Sequence, residues 1–305
     1  MEGRAAALGA GTVVNALATG RGAAFAIDAE TRATVELWAG GERAGDASAT
    51  PTVEGEIAEA PDADTRLVER CVELVVERYG DGQGGRVRTE SDVPMAAGLK
   101  SSSAAANATA LATLDALGLE PVDADGGETT GRSRVARVDA CRLGVQAARD
   151  TGVAVTGAFD DAAASMLGGV VVTDNREDAL LSHEAFEQDA LVWTPPERAY
   201  SADADVSRCE AVAPMADLAI ELARDGRYGE AMTVNGLAFS AALDFPTDPA
   251  VEAMGLAEGV SLSGTGPSVV AVGDREKLDA VRDLWAERPG ETRLLTTRND
   301  GARVL

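Results

Sequence analysis

The sequence predicts an α+β fold with two lobes that divide near residue 152. Its 305 residues, 45% of them hydrophobic, are typical of a globular protein large enough for two ordinary domains. Segments with the periodicity of strands and segments with that of helices follow one another along the chain, and no repeat of fixed length occurs. We therefore assign residues 1–152 to an N-terminal lobe and residues 153–305 to a C-terminal lobe.

The N-terminal lobe is predicted to begin with a sheet and to continue with a helix. Residues 4–40 consist of short apolar segments separated by glycine turns, as expected for strands. Over residues 64–80, the side chains of Leu67, Cys71 and Leu74 share one helical face. Gly80, the last residue of this segment, is typical of a helix end.

The middle of the chain is predicted to alternate between strands and helices. Residues 85–94 alternate as a strand does, and an alanine-rich helix begins at or just after Ser101. Residues 123–133 are almost entirely polar and predict an exposed loop, after which a helix resumes over residues 134–150. Residues 151–161 predict a strand that ends in two acidic side chains.

The remaining elements are predicted to complete the C-terminal lobe. The apolar segment GGVVVTDN predicts a strand over residues 168–175. Further strands are predicted within residues 187–193, 260–264, 267–273 and 291–297, and helices near residues 214–225, 227–243, 248–257 and 275–287.

Acidic side chains dominate the charged residues. Asp and Glu total 51 against 27 for Lys and Arg, which gives a net charge of −24 at pH 7. A field of this sign repels nucleic acids and anionic membranes, so we exclude both as partners. Lys100 and Lys277 are the only lysines, and this composition favours a protein of a halophilic cytoplasm. A GC-rich genome would explain the arginines but not the excess of acids.

The cysteine and histidine content excludes several kinds of site. Cys71, Cys141 and Cys209 lie far apart without a CxxC pair, which argues against structural zinc and for reduced thiols in the cytoplasm. His183 is the only histidine and lies in an ordinary polar stretch, so a hydrolase with a catalytic histidine is not expected. No apolar run reaches the roughly 20 residues needed to span a membrane.

Residues 94–107 carry the most informative motif. A glycine allows close backbone approach, and three serines place hydroxyl and N–H groups at the positive end of a helix, where phosphate oxygens and their Mg²⁺ can bind. A serine N-cap on an alanine-rich helix is the alternative. A P-loop is excluded because the Gly-Lys dipeptide occurs nowhere. The predicted phosphate-binding residues are Pro94, Ala97, Gly98, Leu99, Lys100, Ser101, Ser102, Ser103 and Ala104.

Two further segments are informative only in combination with this motif. Residues 156–161 (TGAFDD) end in the pair Asp160 and Asp161, and a glycine pair follows at residues 168–169. Residues 263–268 (SGTGPS) form a second glycine-rich segment. Taken singly, an acidic pair after a strand is most often a helix cap, and a glycine-rich string is most often a turn.

Together the three segments resemble the motifs of the GHMP kinases, the superfamily of galactokinase, homoserine kinase, mevalonate kinase and phosphomevalonate kinase. The string PxxxGLxSSSA, which begins at Pro94, is similar to the loop that wraps the ATP phosphates in that superfamily. The resemblance implies a two-lobed GHMP kinase fold. Its N-terminal lobe would be ribosomal protein S5 domain 2-like, and its C-terminal lobe ferredoxin-like.

Within the superfamily, the sequence resembles the archaeal type of shikimate kinase. The similarity lies in Lys100 within GLKSSSA, in the string TGAFDD and in the opening GAGTVVNALATGRGAAFAID. It implies a cytoplasmic enzyme that transfers the γ-phosphate of ATP to the 3-hydroxyl of shikimate, giving 3-phosphoshikimate and ADP for chorismate and aromatic amino-acid biosynthesis. A homoserine or mevalonate kinase, or a non-catalytic binding member of the fold, is the alternative.

The resemblance also implies roles for single residues. Asp161 stands seven residues before Gly168, which is the spacing of the catalytic aspartate in mevalonate kinases, whereas alignment with their Asp-Asn pair selects Asp160. We favour Asp161 as the base or orienting group for the acceptor hydroxyl, with Asp160 as its neighbour and Lys100 as a further catalytic residue. Ser102 and Asp150 are the candidate Mg²⁺ ligands. Asp150 stands eleven residues before Asp161, on the helix where those relatives use a glutamate, and we favour a solvated helix end for it.

Shikimate carries a carboxylate, so an acidic enzyme needs a local positive charge to bind it. Arg21 is the candidate for this contact, and a surface turn is the alternative for that residue. The other predicted substrate-binding residues are Asn15, Thr19, Asp28, Gly264, Thr265 and Gly266.

Overall fold

The chain folds around two antiparallel-rich sheets covered by helices. The computed structural model describes residues 1–39, 52–94, 97–123, 134–154, 158–197 and 204–305. The prediction of an α+β fold is confirmed by this mixture of sheets and helices.

The first sheet is built around a long strand of eighteen residues. Strand β2 pairs with β1 along most of its length, with β7 through its first residues and with β4 through its last. Strands β8, β13 and β3 extend the sheet at its margins, and only β3 runs parallel to its neighbour. The strands are β1 (Glu2–Val14), β2 (Arg21–Trp38), β3 (Val53–Ile57), β4 (Gly84–Ser91), β7 (Val170–Asp174), β8 (Ala179–Glu184) and β13 (Arg303–Val304), while β5 (Glu120–Val122) and β6 (Arg134–Ala136) form a separate short pair.

Helix α2 (Ser101–Ala116) lies at the centre of the N-terminal half. Its alanine-rich sequence leaves it almost wholly buried against β1. The approach is so close that a Cβ atom at Gly3 would lie 2.2 Å from the carbonyl oxygen of Ala112. Small residues on both elements therefore let the last turns of the helix lie directly against the sheet. The neighbouring helices are α1 (Arg66–Tyr79), α3 (Arg137–Asp150) and α4 (Phe159–Leu167).

The second sheet has four antiparallel strands in the order β10-β11-β9-β12. Its strands and the helices α5 and α6 share a hydrophobic core with the first sheet, which includes Phe25, Ile220 and Met232. The elements are β9 (Asp189–Thr194), β10 (Gly259–Leu262), β11 (Val269–Gly273), β12 (Glu291–Thr296), α5 (Ala213–Arg224), α6 (Tyr228–Ala242), α7 (Asp248–Ala253), α8 (Arg275–Trp285) and a 3₁₀ turn at Cys209–Val212.

Most predicted elements are confirmed, but the segment before the acidic pair is different. The prediction of a strand ending in Asp160 and Asp161 is wrong, because both residues lie in the first turn of α4. The alanines that follow favour a helix, and acidic side chains are stabilised at a helix N-terminus. Residues 155–157, which belong to the same predicted strand, and residues 124–133 of the predicted loop lie outside the described residues.

Strands β7 and β8 follow the acidic pair in the sequence but still belong to the first sheet. The first strand of the second sheet, β9, begins at Asp189. Strand β8 was not predicted, because its mixed polar sequence lacks clear alternation. It includes His183, whose Nε2 lies 3.0 Å from the carbonyl oxygen of Gly168.

The large negative charge makes a prediction about salt. With a net charge of −24, self-repulsion destabilises the folded chain in dilute buffer, and added salt screens it. We expect Tm, measured by circular dichroism, to rise by several degrees as KCl increases from roughly 0.1 to 3 M. A constant Tm over this range would instead favour codon bias as the origin of the composition.

Within the described parts of the chain, no helix is long and apolar enough to cross a membrane.

Candidate active site

A cleft of about 450 Å³ brings together residues from all three predicted motifs. The start of α2, the start of α4 and the glycine-rich loop before β11 all contribute to its walls. The motif residues in its lining are Gly98, Lys100, Ser101, Ser102, Ser103, Asp160, Asp161, Gly264 and Thr265. Segments separated by more than 160 positions in the sequence thus meet at one site.

The loop that leads into α2 has a backbone suited to close approach. Gly98 has φ +75° and Lys100 has φ +66°, which is the left-handed region that a non-glycine residue rarely adopts. Between them Leu99 is buried, and its carbonyl accepts a hydrogen bond of 3.2 Å from the N–H of Ala10. The buried leucine fixes the loop to β1 and leaves the residues that follow to face the cleft.

The three serines occupy the first turn of α2. Ser101, Ser102 and Ser103 are half-buried and line the cleft. The first N–H groups of a helix have no intrahelical acceptor, and the helix dipole favours an anion there. No acidic side chain lies in this first turn. The arrangement is therefore suited to the oxygens of a phosphate group.

Lys100 links the serine turn to the acidic pair. Its Nζ lies 3.0 Å from Oδ1 of Asp161, and the two side chains are 6% and 15% exposed. A Cβ atom at Gly264 would lie 2.6 Å from the same Nζ, so the ammonium group also lies against the glycine-rich loop. The positive charge of Lys100 is thereby held among the three motifs.

Asp160 is more deeply buried than its neighbour, at 4% exposure. Its Oδ1 accepts a hydrogen bond of 2.7 Å from Nδ2 of Asn175. Burial, followed by the negative charge of Asp161, raises the pKa of Asp160 well above the usual range of a carboxylic acid. The two acids differ in environment, because Asp161 pairs with a cation and Asp160 pairs with an amide.

The glycine-rich loop is hydrogen-bonded to the loop before α2 and to the end of β1. Ser263 Oγ donates to the carbonyl of Gly98 at 2.8 Å, and the N–H of Gly264 donates to Thr12 Oγ1 at 2.8 Å. Asn15 Nδ2 donates to the carbonyl of Gly264 at 2.7 Å. These contacts hold the loop beside the serine turn and the end of β1.

Comparisons with known proteins agree with this geometry. The model of the GHMP kinases N terminal domain matches residues 66–169. A curated shikimate kinase of Halobacterium salinarum is 64% identical over 100% of both chains, and one of Methanococcoides burtonii is 46% identical over 99% of both. The chain belongs to the archaeal shikimate kinases of the GHMP superfamily. A crystal structure of homoserine kinase from Cytophaga hutchinsonii covers 100% of this chain and 97% of its own, with a TM-score of 0.72 at 16% identity, which confirms the GHMP kinase fold.

In this archaeal shikimate kinase, only some of the predicted substrate-binding residues line the cleft. Asn15 and Thr265 line the cleft, whereas Thr19, Arg21 and Asp28 are absent from its described lining. The guanidinium of Arg21 lies 3.8 Å from Asp217 on α5. The carboxylate of Asp28 pairs with Arg298 at 2.7 Å, and the hydroxyl of Thr19 accepts a hydrogen bond from the N–H of Arg21. Gly266 bonds within its own loop, to the carbonyl of Ser263.

Asp150, the candidate metal ligand, does not join the other motif residues. Its carboxylate lies 2.8 Å from Nε of Arg70 on α1, in a surface network that includes Glu73 and Glu77. Asp150 ends α3, and the residues after it, rather than Asp150 itself, contribute to the cleft. In the structure, Asp150 is thus an ion-paired residue at the end of a helix.

Sequence reasoning missed two polar residues that support the site in this family member. Thr12 receives the N–H of Gly264, and Asn175 binds Asp160. Thr12 is a polar residue inside the apolar strand β1, and Asn175 directly follows the largely apolar strand β7. Polar residues within or next to apolar strands are the signal that could have identified both.

Proposed function

We propose that this protein transfers the γ-phosphate of ATP to the 3-hydroxyl of shikimate. The observation that carries the proposal is the convergence of a serine-rich helix start, Lys100 and Asp161 in one cleft. The 64% identity to a curated shikimate kinase over the whole chain supports the choice of acceptor. The products are 3-phosphoshikimate and ADP.

Phosphoryl transfer depends mainly on positioning and on neutralising charge. Backbone N–H groups and hydroxyls of Ser101, Ser102 and Ser103 would bind the phosphate oxygens. Lys100 would stabilise the negative charge that develops as the bond between the γ-phosphorus and the bridging oxygen of ADP breaks. Apolar side chains of Ile57, Leu67 and Val68 in the cleft lining suit the nucleobase.

The donor set of the cleft fits Mg²⁺. This cation keeps several waters and uses one or two carboxylates together with substrate phosphates, rather than a cage of protein ligands. In the described residues no cluster of three His, Cys, Asp or Glu side chains forms such a cage. Ser102 would hold the ion beside the phosphates, with water and phosphate oxygens as its other ligands, and the ion would supply charge neutralisation.

Asp161 is the proposed proton acceptor. As the 3-hydroxyl oxygen forms its bond to the γ-phosphorus, its proton passes to the carboxylate of Asp161, and ADP leaves with the electrons of the broken bond. Lys100, 3.0 Å from Oδ1, fixes the direction of this carboxylate. Asn15 and Thr265 would contact the hydroxyl groups of the acceptor.

A panel of acceptors tests the proposal. The full-length protein in high KCl is assayed for ADP release with shikimate, homoserine and mevalonate in parallel. We expect turnover with shikimate alone. Turnover with homoserine alone would assign the protein to another GHMP activity, and no turnover with any acceptor would favour a binding protein.

Substitution of Ser102 tests the phosphate side of the site. Ser102→Ala removes a hydroxyl from the helix start while improving helix propensity, so the fold should be retained. Loss of one hydrogen bond to a charged group should raise the KM for Mg·ATP by roughly ten- to a hundred-fold. Ser182→Ala on β8, which does not line the cleft, is the control and should change neither constant. Equal kinetics of the two variants would remove Ser102 from the site.

A further inference from the structure

Asn175 occupies a fixed position directly after β7. It is 3% exposed, and its backbone N–H donates to the carbonyl of Gly20 at 2.8 Å. Its own carbonyl accepts from Nη2 of Arg149 at 3.1 Å. The residue is therefore bound through its backbone to both the first sheet and α3, and its side chain has a rigid base.

The side-chain amide of Asn175 makes three hydrogen bonds. Its Oδ1 accepts from the hydroxyl of Thr173 at 2.7 Å and from the backbone N–H of Asp160 at 3.1 Å. Its Nδ2 donates to Oδ1 of Asp160 at 2.7 Å. One amide thus holds both the backbone and the carboxylate of Asp160, which is a pairing that requires an acceptor and a donor on the same group.

The second oxygen of Asp160 is confined by the sheet. A Cβ atom at Gly22 on β2 would lie 2.3 Å from Oδ2, so the carboxylate packs directly against the strand. The charged groups that face Asp160 are Asp161 and Lys100, and Asn175 is its neutral partner. These contacts hold the side chain of Asp160 in one position, and they therefore also hold the first turn of α4 in place.

We propose that Asn175 is a positioning residue for phosphoryl transfer: by holding Asp160 it fixes the first turn of α4 and thereby aims Asp161 at Lys100 and the acceptor hydroxyl. The inference rests on the proposed role of Asp161. It assigns to Asp160 a positioning role as well, since its carboxylate is the group through which the amide holds the helix start.

The absence of charge on the side chain of Asn175 matters as much as the shape of that side chain. A carboxylate at position 175 would accept from Thr173 and from the N–H of Asp160, but it would have no proton for the carboxylate of Asp160. Two acids would then face each other in a buried site, beside the third acid Asp161. A reversed pair, with asparagine at 160 and aspartate at 175, restores a donor opposite an acceptor.

Three variants of the full-length protein test the proposal in high KCl. A misplacement of about 1 Å can reduce the rate about 100-fold, so Asn175→Ala should lower kcat by roughly 10- to 100-fold and leave the KM for ATP within about twofold. Asn175→Asp should lower kcat further at pH 8, and its activity relative to wild type should recover toward pH 6 as one acid of the pair takes up a proton. The double variant Asp160→Asn/Asn175→Asp should return kcat to within about fivefold of wild type.

Asn107→Ala provides a matched control. Asn107 on α2 is also buried, and its Nδ2 donates at 2.8 Å to the carbonyl of Ala162, which lies on α4 as Asp160 does. It should lower Tm as Asn175→Ala does, with a smaller loss of kcat. Equal losses of kcat in these two variants would reduce Asn175 to a general stabiliser of α4 and overturn the proposal.

Two further outcomes would also overturn it. One is wild-type kcat in Asn175→Ala; the other is a folded reversed pair that stays as inactive as Asn175→Asp. If Asn175→Ala does not fold, the two isosteric variants carry the comparison alone. Asp161→Asn is assayed alongside: if it keeps wild-type turnover, the proposed base is wrong and this inference with it. If Asp161→Asn is inactive and Asn175→Ala is not, only the positioning role fails.

Discussion

Asp161→Asn is expected to lower kcat by roughly 10²–10⁴-fold, which is the usual contribution of a positioned general base. The amide keeps the size of the side chain but cannot accept the proton of the acceptor hydroxyl. Because the serine turn of α2 is unchanged, the KM for ATP should stay nearly the same. Steady-state kinetics at saturating shikimate, with Tm measured on the same preparation, check the prediction.

Asp160→Asn is the internal control for that experiment. The oxygen of the new amide can still accept from Nδ2 of Asn175, so the loss of kcat should be much smaller than for Asp161→Asn. If the carboxylate of Asp160 only stabilises the first turn of α4, its replacement should cost about 0.5–1.5 kcal/mol of stability with chemistry largely intact. An inactive Asp160→Asn beside an active Asp161→Asn would show that the other carboxylate is the base.

Gly98→Ala is expected to lower kcat/KM for ATP by about 100-fold or more, as a displacement of about 1 Å at the reacting groups can do. A Cβ atom at this position would lie 2.2 Å from the carbonyl oxygen of Ser263 and 3.0 Å from that of Gly266. Both are backbone atoms that cannot rotate away. The serine turn and the glycine-rich loop must therefore separate, and the measurement is the kinetics with ATP as the varied substrate.

Gly118→Ala, just beyond the other end of α2, separates the clash from the backbone strain. Gly118 has φ +72°, nearly the value of Gly98, but a Cβ atom there would have nothing within 4 Å. The control variant should lose about 1–3 kcal/mol of stability from the left-handed backbone and retain normal kinetics. If both alanine variants have the same kcat/KM, close packing of the loop does not govern ATP use.

Local sequence signals predicted the start of the phosphate-binding helix. Serine before an alanine-rich run marks a helix start through short-range propensity, and α2 does begin at Ser101. The same reasoning failed at Asp160, because Val153 and its neighbours resemble a strand while the alanines after Asp161 favour a helix. Competing local preferences over so few residues leave the choice to tertiary packing.

Partners that are distant in sequence were beyond prediction from pattern alone. Lys100 and Asp161 form an ion pair although they lie 61 positions apart, and no local periodicity relates the two residues. The spacing of Asp150 from Asp161 made it a candidate metal ligand, but spacing does not state which way the end of a helix faces. Arg70, on another helix, determines the direction of that carboxylate.

The order in which the chain is synthesised gives the loop contacts a consequence for folding. The bonds of Gly264 to Thr12 and Asn15 span 252 and 249 positions, and β13 pairs with β1 at the very end of the chain. Contacts of such long range form late, after their loop-closure entropy has been overcome. A nascent chain that has not yet passed residue 264 therefore carries the serine turn without the loop that braces it. The cleft can therefore be completed only after residue 264 has been synthesised, more than 160 positions after the serine turn.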